Sequence, residues 1–252
     1  MAQGNFFDSS GRLQASINMM SMVCRRTGTG QTVTRQGGNT NPSSLLVDVS
    51  GCAYPLVAIK IDNYAAAMAG KSGASNHWVS NAPVGTSFTY YIFDYSTSLP
   101  STNAPAKLWD ESGRCTFNGD FFPMVATNMF TGVGQTVATN GRTYATAQGQ
   151  MGGHSRRGEA SCYDSGGPRV DTDGEGLSRC SDIRYRNDGK LYGGSVRPGD
   201  GTVGMYAVTW DDVQVSAGNY QSYSSNDVRG WEAPVTVMAV DVTNIPVGTT
   251  FF

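Results

Sequence analysis

The chain has 252 residues, 39% hydrophobic and only 15% charged, with 32 glycines and a net charge of −2. That length buries one large core or two small ones, low charge with abundant Gly, Ser, Thr and Asn suits short strands and many turns, and near-neutrality excludes bulk attraction to nucleic acid. The longest apolar runs, such as "PLVAIKI" at 55–61, fall far below the about 18–20 residues a membrane-spanning helix needs, so no membrane insertion is expected.

In chain order, "MAQGNFFDSSGR" carries neither the basic nor the apolar region of a secretory signal, which argues against classical export. The stretch "FFDSSGRLQAS" from Phe6 places Gly11 after polar turn formers and between apolar flanks, a hairpin signal. "SINMMSMV" at 16–23 is compatible with helix or strand. "LVAIKID" at 56–62 reads as a strand, and "YAAAMAG" at 64–70 as a short helix ending at Gly70. "SNHWVSN" sets His77 beside Trp78 among small polar residues, where a ring face could stack on a sugar or a partner, or fold over a core. "TSFTYYIFDYS" at 86–96 is a strand, and "STSLPSTNAPAK" at 96–107 reads as a linker or long turn.

The hairpin signal then returns as "LWDESGRCTFNG" at 108–119. It is the first of four markers that occur twice in the same order. "GTGQTV" at 28–33 recurs as "GVGQTV" at 132–137. Gly51, Pro55 and Asp62 recur at the same spacing as Gly230, Pro234 and Asp241, and "NAPVGTSF" at 81–88 recurs as "NIPVGTTF" at 244–251. Collinear recurrence predicts an internal duplication. The expected fold is all-β: two related β-sandwich-like units, 1–100 and 101–252, with long loop insertions at about 63–80 and 141–229.

Within the second insertion, "DTDGEGLSRCSD" spaces Asp171, Asp173, Glu175 and Asp182 as the oxygen ligands of a calcium loop, although no amphipathic helices flank it; a solvated Gly/Asp loop is the alternative. "RNDGKLYGG" at 186–194 reads as a further hairpin turning at Asn187–Gly189. Arg184, Tyr185, Arg186 and Tyr192 interleave cation and ring, which suits stacking on a sugar or packing at a protein interface, or simply ties the loop to itself. "GTVGMYAVTW", "VQVSAG" and "PVTVMAVDV" are strands.

Catalytic patterns are scarce. His77 and His154 are the two histidines, and neither lies in a G-x-S-x-G or H-E-x-x-H context, so no enzymatic activity is expected. The five cysteines form no C-x-x-C pair, as expected of free thiols from a reducing compartment.

The doubled hairpin pattern, an apolar residue followed by Asp, any residue, Ser, Gly and Arg, with "YYIFDYSTS" leading to "KLWDESGRCTFNGDFFPMV", resembles small β-rich proteins encoded in the tail modules of long-tailed bacteriophages. The likeness covers residues 5–20 and 88–126, and 141–229 departs from it. The resemblance implies a virion protein of the tail tip or tail fibre, made in the bacterial cytoplasm. It further implies a homotrimer that docks on central-fibre or tip-hub proteins, with the insertions facing a host surface glycan or protein. The alternative is a carbohydrate-binding module without catalysis, using Trp78 and the nearby tyrosines as its platform.

Overall fold

The computed structural model describes residues 5–7, 13–16, 22–34, 43–95, 103–104, 106–109, 113, 115–150, 153–163, 171–172, 178–221, 227–231 and 235–251. The first half contributes β1 (Asn5–Phe7), β2 (Leu13–Ser16), β3 (Met22–Gln31), β4 (Val33–Thr34), β5 (Ser43–Asp48), β6 (Leu56–Lys60), β7 (Ala65–Ser72), β8 (Ser75–Ser80) and β9 (Ser87–Tyr95). The second begins with β10 (Lys107–Trp109), β11 (Cys115–Asn118), β12 (Val125–Phe130), β13 (Thr136–Ala138) and β14 (Tyr144–Gln150). It continues through β15 (Gly153–Tyr163), β16 (Asp171–Thr172), β17 (Ser178–Arg197), β18 (Thr202–Gln221), β19 (Asp227–Trp231) and β20 (Thr236–Asp241). The all-β expectation holds, and the paired strands are antiparallel throughout.

Two sheets make the body. The smaller runs β12-β20-β14-β6-β9-β3; the larger runs β13-β18-β17-β7-β8-β5-β4, with β15, β16 and β19 added on β17. Between them lie Leu45, Val47, Ile59, Trp78 and Ile92 at one end and Phe130, Tyr144, Val203, Met205 and Val237 at the other. Each such side chain contributes about 1.5–3 kcal/mol on leaving water.

The smaller sheet also closes on itself. Cys24 donates its N–H to Phe122 O (2.7 Å) and Met124 donates to Met22 O (2.8 Å), so 122–124 pair with β3 at one edge and run directly into β12 at the other. The enclosed side holds Cys24, Ala58, Tyr91, Phe93, Ala147 and Val240. Strands such as β6 are therefore covered on both faces, which explains why "LVAIK" is apolar almost throughout instead of alternating strictly.

The halves share both sheets. Along β3·β9, Val23 faces Asp94, Cys24 faces Phe93 and, past a bulge, Arg26 faces Ile92. Along β12·β20, Val125 faces Asp241, Ala126 faces Val240 and, past a bulge, Asn128 faces Ala239. Between these outer pairs, β6 and β14 meet with Ala58 opposite Ala147, and an approximate two-fold through that pair relates the two sets of registers. The hairpins repeat as well: β1·β2 bulges between Phe6 and Phe7, and β10·β11 bulges at the matching step between Leu108 and Trp109. Each "GQTV" leads from the smaller sheet to a strand at an edge of the larger one. The Gly-Pro-Asp markers flank β6 and β20, which are not partners in this relation, since β6 matches β14 and β9 matches β20.

The two "PVGT" turns are built alike. Thr32 Oγ1 donates to Pro83 O (2.6 Å) and accepts from Thr86 N–H (2.9 Å), while Thr32 N–H donates to Thr86 O (2.9 Å). Thr27 repeats the set with Pro246 O (2.8 Å), Thr249 N–H (3.0 Å) and Thr249 O (2.8 Å). Gly85 and Gly248 carry the left-handed φ of 85° and 78° that the turn demands.

Three local readings are corrected. "YAAAMAG" is the strand β7, paired with β8 on one side and with Gly194 and Ser195 on the other. "RNDGKLYGG" does not turn: Asn187–Gly189 lie in mid-strand, opposite Asp212–Trp210 of β18 and Arg157–Ser155 of β15. Pairing on both sides outweighs the local turn preference. The segments read as loop insertions hold strands of the body, β7 and β8 in one and β14 with parts of β17 and β18 in the other.

Candidate functional site

Among the described residues, polar groups concentrate where β3, the β5–β6 turn and the end of β9 converge. Asp94 is completely buried, although Asp is depleted in strands. A buried carboxylate must be compensated, and here it accepts from the N–H groups of Ala53 (2.8 Å), Tyr54 (2.8 Å) and Tyr95 (3.0 Å) and pairs with Arg25 Nη1 (3.3 Å). Arg25 is the extra residue of the β3 bulge.

These bonds pin the β5–β6 turn, whose other end is set by Asp48. Its carboxylate accepts from Ser50 N–H and Ser50 Oγ, each at 2.9 Å. The Ser50 amide first, then its hydroxyl, hold the Asp48 carboxyl below the ordinary range. Arg26 Nη2 donates to the Asp48 carbonyl and lies 3.8 Å from Oδ2, tying the smaller sheet to the larger. Arg26 Nε is buried and has no partner among the described residues. Burial pushes the Cys52 thiol upward in the same cluster.

On this anchored turn Tyr54 stands 67% exposed, its ring edge-on to Tyr95 with centroids 5.2 Å apart. The arrangement anchors the backbone that carries this exposed ring.

The residues singled out in the sequence lie elsewhere. Trp78 is 2% exposed and packs between the sheets, so it offers no ring face to a ligand; the strand alternation that directs it inward directs His77 to the opposite face. His77 is half-buried, with Nε2 3.1 Å from Ser44 Oγ. Arg184, Tyr185 and Arg186 sit on β17 opposite Val215, Gln214 and Val213. Tyr192 is half-buried against the inter-sheet core, with Lys190 Nζ 5.7 Å from its ring centroid. Strand β7 lies between β8, which carries His77, and β17. Asp171 is on β16 opposite Arg179, Asp182 is on β17 opposite Ala217, and Asp173 and Glu175 lie outside the described residues. Among the described residues no cluster of three or more His, Cys, Asp or Glu side chains is placed to hold a metal.

Sequence reasoning passed over Tyr54, Arg25 and Asp94. The available signal was Asp94 itself, a carboxylate amid "YYIFDY" in a strand covered on both faces. No protein-family model matches the chain, and neither a curated protein nor a solved structure matches it.

Proposed function

We propose that the chain is a structural protein of a bacteriophage tail, seated at the tip or fibre through its two-sheet body and meeting neighbouring subunits or the host surface with its exposed turns and ribbon. The observation that carries the reading is the hairpin behind the resemblance. It occurs twice, with the same pairing and a bulge at the same step.

The ribbon β17–β18 adds support. Its strands are 20 residues each, about 65 Å at roughly 3.3 Å per residue, against nine or ten residues for β9 and β3 in the body. Paired strands of that length suit a role in reaching or bracing another subunit. A weakly charged surface rich in hydroxyl and amide groups suits many-point polar contact in an assembly.

The test is location. Gold-labelled antibody raised against the purified chain should mark the tail end of phage particles that encode it, and the free chain should sediment as a homotrimer. Particles that carry no label, from a lysate that contains the chain, would overturn the reading.

A further inference from the structure

The sequence holds two Asn-Gly steps, Asn118-Gly119 and Asn140-Gly141. Asparagine is a thermolabile residue, and most so before glycine: its side-chain amide carbon can close a five-membered ring with the next backbone nitrogen, and glycine has no Cβ to shield that nitrogen. The motif is the same at both steps, so their surroundings decide which of them reacts.

Asn118 ends β11 and is 3% exposed, its Oδ1 accepting from Asp120 N–H (3.1 Å). The Gly119 nitrogen donates to Ala106 O (2.8 Å), and a Cβ on Gly119 would lie 3.2 Å from that same oxygen. The amide under attack and the attacking nitrogen are both held, and freeing them means opening buried pairing.

Asn140 and Gly141 lie between β13 and β14, and both are exposed. Arg142 N–H donates to Thr139 O (3.0 Å) across them, and their φ values of 50° and 77° put both central residues of the turn in the left-handed region. Neither the Asn140 side chain nor the Gly141 N–H has a hydrogen-bond partner among the described residues, and nothing lies within 4 Å of where a Gly141 Cβ would stand. Bringing the side chain onto the Gly141 nitrogen gives up at most the closing bond of an exposed turn.

We infer that Asn140 is a site of spontaneous deamidation. The Gly141 nitrogen, its proton taken by solvent base, bonds to Asn140 Cγ; the Cγ–Nδ2 bond breaks and ammonia leaves. Water then opens the succinimide at either carbonyl, giving aspartate or isoaspartate. The balance is amide plus water to acid plus ammonia, and solvent supplies everything consumed. The product adds a negative charge two residues from Arg142, whose Nη1 lies 2.5 Å from Asp241 Oδ2. The inference does not rest on the tail-protein reading, because the reaction needs no partner.

The test incubates the full native chain in heavy-oxygen water at mildly alkaline pH, beside a urea-unfolded sample that sets the time: both stop when the unfolded chain has converted half of each site. Digestion at acidic pH in ordinary water and peptide mapping then separate asparagine, aspartate and isoaspartate, and the incorporated oxygen marks conversion during incubation. In the native chain Asn140 should convert at least about tenfold faster than Asn118, since only Asn118 must wait for local opening. In the unfolded chain the two rates should come together, because the local motif is shared. Native Asn140 left intact at that time, or native Asn118 converted as fast as Asn140, overturns the inference.

Discussion

Replacing Thr27 and Thr32 one at a time by valine tests the closure of the fold at its two "PVGT" turns. Valine keeps the shape and removes one hydroxyl. At Thr32 the change deletes the bond to Pro83 O and leaves Thr86 N–H its longer bond to Pro83 O (3.2 Å); at Thr27 it deletes the bond to Pro246 O and removes the hydroxyl acceptor of Thr249 N–H. Both threonines are nearly inaccessible, at 1% and 4% exposure, so water replaces the lost partners poorly. Each variant should therefore lose about 1–2 kcal/mol, with a fall in melting temperature of roughly 2–4 °C for each kcal/mol in a chain of this size. Serine at either position retains the hydroxyl and should recover most of the loss. Urea unfolding followed by tryptophan fluorescence is a suitable assay, since Trp78 lies between the sheets. Thr27→Val should cost at least as much as Thr32→Val, because Thr86 N–H keeps a second acceptor in Pro83 O (3.2 Å) and Thr27 Oγ1 also reaches Thr249 O (3.4 Å). Destabilisation by Thr32→Val with none by Thr27→Val would refute the reasoning: the turn at 246–249 would then not be docked on β3, although its local sequence is the same.

Three further outcomes follow from packing and electrostatics. A Cβ at Gly194 would lie 2.1 Å from Thr146 Cβ in the opposite sheet, so Gly194→Ala should destabilise by about 3 kcal/mol, read as a lower urea midpoint, whereas a near-neutral result would mean the sheets do not approach there. Burial pushes the Cys24 thiol up to about 12; mass-mapped alkylation at pH 8 should leave Cys24 intact in the native chain and modify it only after unfolding, and rapid native modification would contradict its place inside the closed sheet. Burial raises the Asp241 carboxyl, but the bonds from Thr243 and Arg142 outweigh it and leave the pKa lowered. A lowered folded-state pKa gives stability that is present above the usual carboxylate range and is lost as pH falls through the folded value. Asp241→Asn should therefore flatten the acid limb of the stability profile below about pH 4, and an unchanged limb would remove this pair from the account.

The candidate site shows why some chemistry is visible in a chain and some is not. "SNHWVSN" is compatible with an exposed contact, because its neighbours are small and polar, or with a ring folded over a core; Ser75–Ser80 is a central strand and the alternation sends Trp78 inward. Tyr54 had no distinguishing neighbours in "GCAYPLV". What raises it above an ordinary loop tyrosine is Asp94, forty residues further on, and no local pattern records that bond.

Residue type and order alone determined the strand class, the two hairpins and the absence of any run able to span a membrane as a helix. Each depends on neighbours within a few residues: β-branched and aromatic side chains favour extended backbone, and glycine accepts positive φ. Tertiary structure alone decided that Ala65–Ser72 is a strand and that Asn187–Gly189 does not turn. It alone closed the smaller sheet through 122–124 and gave the two halves a common core. Those outcomes are set by partners tens to more than two hundred residues away, and a strand's hydrogen bonds, unlike a turn's, are satisfied by whichever segment the rest of the fold brings alongside.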